Sequence, residues 1–93
     1  MNVYLVCFDI SDNKNRDRAG KELLAYGERV QKSVFEITLR HPDDLESIRE
    51  ALRPLLEEGD DLRFYRLCAN CRKDSTGIRG EPLAKLPAAA VVV

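Results

Sequence analysis

The stretch VYLVCFD, Val3 to Asp9, is an unbroken apolar and aromatic run that stops at a carboxylate. It is too short and too continuously apolar for a surface helix, and it predicts a central β-strand covered on both faces. Such a strand must have neighbours on either side, so the rest of the chain has to supply a sheet around it.

The segments that follow fit that demand. Residues Ile10 to Asn15 read as a polar loop. Ala19, Leu23, Leu24 and Tyr26 then recur at helical spacing over about Asn15 to Tyr26, with Gly27 as the stop signal. Glu28 to Arg40 alternates, with Val30, Lys32, Val34, Glu36 and Thr38 on one side and Gln31, Ser33, Phe35, Ile37 and Leu39 on the other. Its length predicts two strands meeting at a sharp bend near Ser33, although no Gly or Pro marks the turn.

HPDDLESIREALRPLLEEGD carries the clearest helical pattern: Pro42 in the first turn, acids near the N-terminus, and Leu45, Ile48, Leu52, Leu55 and Leu56 on one stripe. Gly59 closes it, and Pro54 is expected to kink or fray its last turn. Asp61 to Cys68 alternates as a further strand. The order strand, helix, extended pair, helix, strand is that of an α+β sandwich with the ferredoxin-like β-α-β-β-α-β arrangement. Beyond Cys68 come turn residues and then PAAAVVV, apolar with nothing local to pack on. Such a tail is either disordered or lies along another surface, and an added edge strand on a partner is the usual use of one, so residues from about 72 to 93 are expected to form an extra C-terminal strand and tail that contacts the partner subunit.

All 93 residues read as a single domain, near the lower end of what buries a self-sufficient core, which makes a homodimer the default expectation. No apolar run is long enough to cross a membrane, and the N-terminal run lacks the basic leader and cleavage site of a signal peptide. Three cysteines, an odd count, do not make a disulfide framework. These features place the protein in the cytoplasm. The net charge is −1, yet Lys14, Arg16, Arg18, Lys21, Arg29 and Lys32 outnumber Asp17, Glu22 and Glu28 over one segment. Local basicity of this kind can hold phosphates, because the field that matters lies within about 10 Å of the ligand.

Asp9 stands where sheets generally place ligands, at the carboxyl end of a central strand. The plainer reading is that its oxygens cap the turn or the helix behind it. Ser11, Asp12, Asn13, Arg16 and Arg18 would surround it with oxygen ligands and phosphate-pairing groups, although a solvated helix face accounts for each arginine singly. Mg²⁺ takes one or two carboxylates plus waters and phosphate oxygens, so one Asp per chain is thin, and two across a twofold axis are reasonable.

Cys68 and Cys71 have the spacing of half a zinc site or of a redox pair. Zinc needs four ligands, leaving Cys7, His41 or a second copy to complete them, and a redox motif should open a helix, where no helical pattern follows. Cys68 accordingly reads as core and Cys71 as incidental, and His41 as a helix-start or surface residue. The chain carries no nucleophilic triad, glycine-rich phosphate loop or paired catalytic carboxylates.

Taken together, FDISDNKNRDR, YGERVQKSVFE and LRFYRLC resemble the CRISPR-associated protein 2 family, small metal-dependent endonucleases that also partner the integrase in spacer acquisition. The resemblance covers nearly the whole chain. It implies a symmetric homodimer with a crossing C-terminal strand and Mg²⁺, or another divalent cation, between two Asp9 carboxylates. By position, Asp9 would be catalytic and metal-binding. Arg16, Arg18, Arg29 and Lys32 would meet the nucleic acid, double-stranded DNA or single-stranded RNA, and Phe8, Ser33 and Phe35 would form the interface near the metal. Phe8 and Lys32 stand where members often have tyrosine. Two other readings fit the same features: a non-catalytic dimeric DNA-binding adaptor of the integrase complex, and a ferredoxin-like toxin-type endoribonuclease.

Overall fold

The computed structural model describes residues 1–83. Its elements are β1 (Asn2–Asp9), α1 (Asn13–Leu24), β2 (Gly27–Gln31), β3 (Val34–Leu39), α2 (Asp43–Leu52), β4 (Asp61–Leu67) and α3 (Ala69–Asp74), with a 3-10 turn over Arg53–Leu55. The strands form one antiparallel sheet in the order β2-β3-β1-β4, the ferredoxin-like order. β1 is central, with Val6 opposite Phe35 on one side and Phe64 on the other.

Both crossover helices fall on the same side of the sheet, as right-handed connections require when each runs to a parallel strand. They bury the middle of one face. Val6, Phe8, Phe35, Ile37 and Leu39 project from the sheet to meet Ala19 and Leu23 of α1, Ile48 and Leu52 of α2, and Leu55. Tyr4 and Phe64 continue this face in an edge-to-face contact. The other face carries Val3, Leu5, Cys7 and Val34, all only half-buried, and Tyr65 at 47% exposure. A β1 covered on both faces is thus corrected: among the described residues α1 and α2 lie on one face, and the other is met only at Glu36, by Arg72 of α3.

Element boundaries moved where local chemistry outweighed periodicity. α1 begins at Asn13, two residues ahead of expectation, because Asp12 in extended conformation accepts a hydrogen bond from the Asn15 N–H and caps it. Ile10, expected in a polar loop, is 2% exposed and belongs to the core. The β2–β3 turn sits at Lys32–Ser33, where the length of the extended segment predicted a bend. Gly27 opens β2 rather than merely ending α1; a Cβ there would lie 2.0 Å from the Glu36 carbonyl oxygen, so only glycine lets β2 approach β3 this closely. Pro54 ends the regular part of α2, and the chain tightens into the 3-10 turn, as expected.

After β4 the chain turns into α3, which the alternating pattern and the turn-rich residues did not predict. Arg72 of α3 reaches the open face of the sheet and pairs with Glu36 of β3 at 2.6 Å. Thr76 and Pro82 form a single antiparallel bridge. Of the segment expected as an extra strand, residues 72–74 are therefore helical, and residues 84–93 lie outside the described part. No helix among the described residues is long and apolar enough to cross a membrane.

Candidate functional site

β1 ends in Phe8 and Asp9, which alternation sends to opposite faces. Phe8 goes to the helix layer, 7% exposed and stacked on Phe35 at 5.9 Å between centroids. Asp9 goes to the open face and is exposed. Its carboxylate has no hydrogen bond or ion pair among the described residues, so the turn-capping role is not its own. Asp12 performs it instead.

The surroundings of Asp9 are built by contacts across the chain. Asp9 pairs in register with Asp61 of β4, which puts the two carboxylates on the same face. Asp61 accepts a hydrogen bond from Arg63 Nε at 2.8 Å, and Arg63 also donates to the Tyr65 hydroxyl at 3.2 Å. The Phe8 N–H donates to the Ser33 carbonyl at 3.0 Å, bringing the Lys32–Ser33 turn alongside the end of β1. Asp60 fixes the third side. Its Oδ1 accepts from the Ser11 N–H at 3.1 Å and from Ser11 Oγ at 3.0 Å, and its Oδ2 accepts from the Glu57 N–H at 2.9 Å. These donors, Glu57 N–H foremost, hold the Asp60 carboxyl below the ordinary aspartate range.

The basic residues divide. Arg16 is half-buried and committed to the loop behind Asp9: Nε donates to the Ile10 carbonyl at 3.1 Å, one terminal nitrogen to Asn13 Oδ1 at 2.7 Å, the other to the Ser11 carbonyl at 3.3 Å. Arg29 lies over the Phe35 ring, 5.1 Å from its centroid, on the helix side of the sheet and away from the face that carries Asp9. Arg18 and Lys32 are exposed. Of the eight residues singled out in the sequence, the fold therefore brings Asp9, Lys32 and Ser33 to one end of the sheet. It turns Arg16 into a loop staple and places Phe8 and Phe35 in the core of the single chain. Asp60, Asp61 and Arg63 were missed, although Asp61 directly opposite Asp9 could have been found by pairing β1 with β4 in antiparallel register.

Among the described residues, no three His, Cys, Asp or Glu side chains are grouped to hold a metal. The available donor set at the β1 end is the exposed Asp9, with Asp61 beside it but already paired to Arg63. An unengaged carboxylate in water suits a hard cation that keeps most of its own waters, and a second copy would add a second one.

The family model CRISPR associated protein Cas2 matches residues 1–75. A Chloroflexus aurantiacus protein described as CRISPR-associated endoribonuclease Cas2 1 is 47% identical over 72 residues, covering 75% of this chain and 76% of that protein. A Synechocystis protein described as CRISPR-associated endoribonuclease Cas2 3 is 36% identical over 94 residues, the full length of both. Among solved structures, a chain of a partial Cas6-RT-Cas1–Cas2 complex superimposes with a TM-score of 0.83 at 38% identity, covering 96% of this chain and 97% of that one.

Proposed function

The chain belongs to the CRISPR-associated Cas2 family, and from that membership we propose that it is an endonuclease of CRISPR adaptation, hydrolysing phosphodiester bonds as a homodimer that partners a Cas1-type integrase. The observation that carries the reading is the unengaged carboxylate of Asp9. Asp12, Asp60 and Asp61, the other aspartates of that end of the sheet, are each spent on a cap, a loop or an arginine. Among the described residues, Asp9 alone of these four is left without a hydrogen bond or ion pair, and it is held on the central strand.

Asp9 from each of two copies would hold a divalent cation, with Mg²⁺ the natural choice for carboxylate and phosphate oxygens. Bound there, the cation supplies Lewis-acid stabilisation of phosphoryl charge and a more acidic water. This chain's own contribution is placement. Two ladders fix β1, Asp60 and Arg16 hold the loop behind it, and Lys32 and Arg18 offer exposed positive charge to a phosphate backbone. Phe8 in place of tyrosine bears on core packing rather than on the carboxylate, since its ring faces the helices.

Purified protein and Asp9→Asn are compared on single-stranded RNA and on duplex DNA across Mg²⁺ concentrations. Asn keeps the shape and removes the charge, so metal-dependent cleavage is expected to fall by about 100-fold or more. Equal cleavage by both proteins, or none by either, overturns the enzyme reading and leaves the DNA-binding adaptor.

A further inference from the structure

We propose that Cys68 and Cys71 form a thiol–disulfide exchange site, with Cys68 as attacking thiol and Cys71 as resolving thiol, that takes a low-molecular-weight disulfide as substrate. Both side chains are exposed and their sulfurs are 2.9 Å apart. A disulfide needs about 2.05 Å, so closing the bond asks for about 1 Å of sulfur movement.

The local backbone is already arranged for the pair. Cys68 is the residue from which α3 starts, and its sulfur accepts the Cys71 N–H at 3.2 Å. The Cys71 carbonyl is held by Ser75 Oγ at 2.7 Å, and Arg72 is anchored on Glu36. Two sulfurs are thus kept together on a braced turn that opens on water. The roles follow from the asymmetry of the donors. Hydrogen bonds from the Cys71 thiol and N–H pull the Cys68 thiol below its ordinary value, and the neighbouring Cys68 sulfur pushes the Cys71 thiol up.

The chemistry balances without any group beyond the substrate. The Cys68 thiolate attacks one sulfur of RS–SR, forming Cys68–S–S–R and releasing RS⁻. Cys71 gives up its proton to the released thiolate or to water and attacks Cys68 Sγ, forming the Cys68–Cys71 bond and releasing the second RS⁻. Two protein thiols are oxidised and one small disulfide is reduced to two thiols. Cys7, half-buried on β1, takes no part.

The test equilibrates the full-length protein with oxidised and reduced glutathione at fixed ratios, quenches with acid, denatures, and counts free thiols by maleimide mass. Oxidising mixtures are expected to remove two of the three thiols together, leaving Cys7 free and the chain monomeric on a non-reducing gel. Cys71→Ser is expected to accumulate a glutathione adduct on Cys68, and Cys68→Ser to react far more slowly. Three free thiols at every ratio, or a disulfide only between two chains, overturns the proposal. A Cys68→Ser variant that reacts as fast as Cys71→Ser overturns the assignment of roles. None of these readouts depends on cleavage, so the result stands apart from the fate of the nuclease reading.

Discussion

Asp60 and Ser11, 49 residues apart in the chain, are joined by two hydrogen bonds to one carboxylate oxygen, and that contact seals the loop behind Asp9 to the turn that opens β4. The carboxylate must be charged to accept them well, which makes the contact sensitive to pH. Its folded value is depressed, so its contribution is complete above the unfolded value, about 3.9, and is withdrawn as the pH falls from there through the folded value. Thermal melts of wild type and Asp60→Asn are expected to differ by a few degrees near neutrality and to converge below about pH 4. Parallel curves at all pH values would remove Asp60 from this role.

Arg16 and Arg18 are two residues apart and are expected to behave differently. Arg16→Ala gives up two hydrogen bonds to the β1–α1 loop and one to Asn13 at the start of α1, which at about 0.5–1.5 kcal/mol each predicts a loss of about 1.5–4.5 kcal/mol in stability before relaxation. Arg18→Ala and Lys32→Ala are expected to leave the urea midpoint nearly unchanged. If they meet DNA, each flattens the slope of log affinity against log salt by about 0.9. A flattened slope for Arg16→Ala with unchanged stability would reverse the assignment.

Gly20 sits buried inside α1 because Arg29 and Phe35 occupy the space its side chain would need. A Cβ there would lie 2.9 Å from an Arg29 terminal nitrogen and 3.3 Å from Phe35 Cζ. Alanine would otherwise gain about 1 kcal/mol in a helix interior. Gly20→Ala is therefore expected to fall well short of that gain in the native sequence and to recover part of it in an Arg29→Ala background. The double-mutant cycle by urea denaturation reads the coupling directly. Strict additivity would show that the Arg29 contact does not set the requirement for glycine.

Glu36 and Arg72 form an ion pair with side chains 25% and 27% exposed, the contact that docks α3 on the open sheet face. Glu36→Gln is expected to cost about 1 kcal/mol and to speed amide exchange across Ala69–Asp74 before any other element. Exchange in α3 unchanged from wild type would show that other contacts hold it.

The parts of the fold legible in the sequence are those whose pattern repeats. β1 announced itself by a continuous apolar run, β3 by strict alternation of Phe35, Ile37 and Leu39, and α2 by the stripe through Ile48 and Leu52 with Pro54 as its limit. α3 was not legible, because six residues hold too little of the helical period and a cysteine is an unusual residue to start a helix. At the site, the position of Asp9 was readable from where its strand ends. Its freedom was not, since it depends on Asp12 taking the capping role and on Asp60 and Arg16 holding the loop. Asp60 acts through a contact to Ser11 that exists only once the turn before β4 and the β1–α1 loop lie side by side, and Arg16 acts through local bonds to Ile10, Ser11 and Asn13 that no periodicity announces.

The opposed directions of Phe8 and Asp9 carry a consequence for how this chain can vary. Deleting any one residue between Asn2 and Phe8 and re-pairing β1 by one step would drive Asp9 into the helix layer and expel the ring into water. Losing the exposed carboxylate and losing the core would then be the same event. Apolar exchanges within β1 that keep its phase spare both faces, whereas a change in its length is penalised twice.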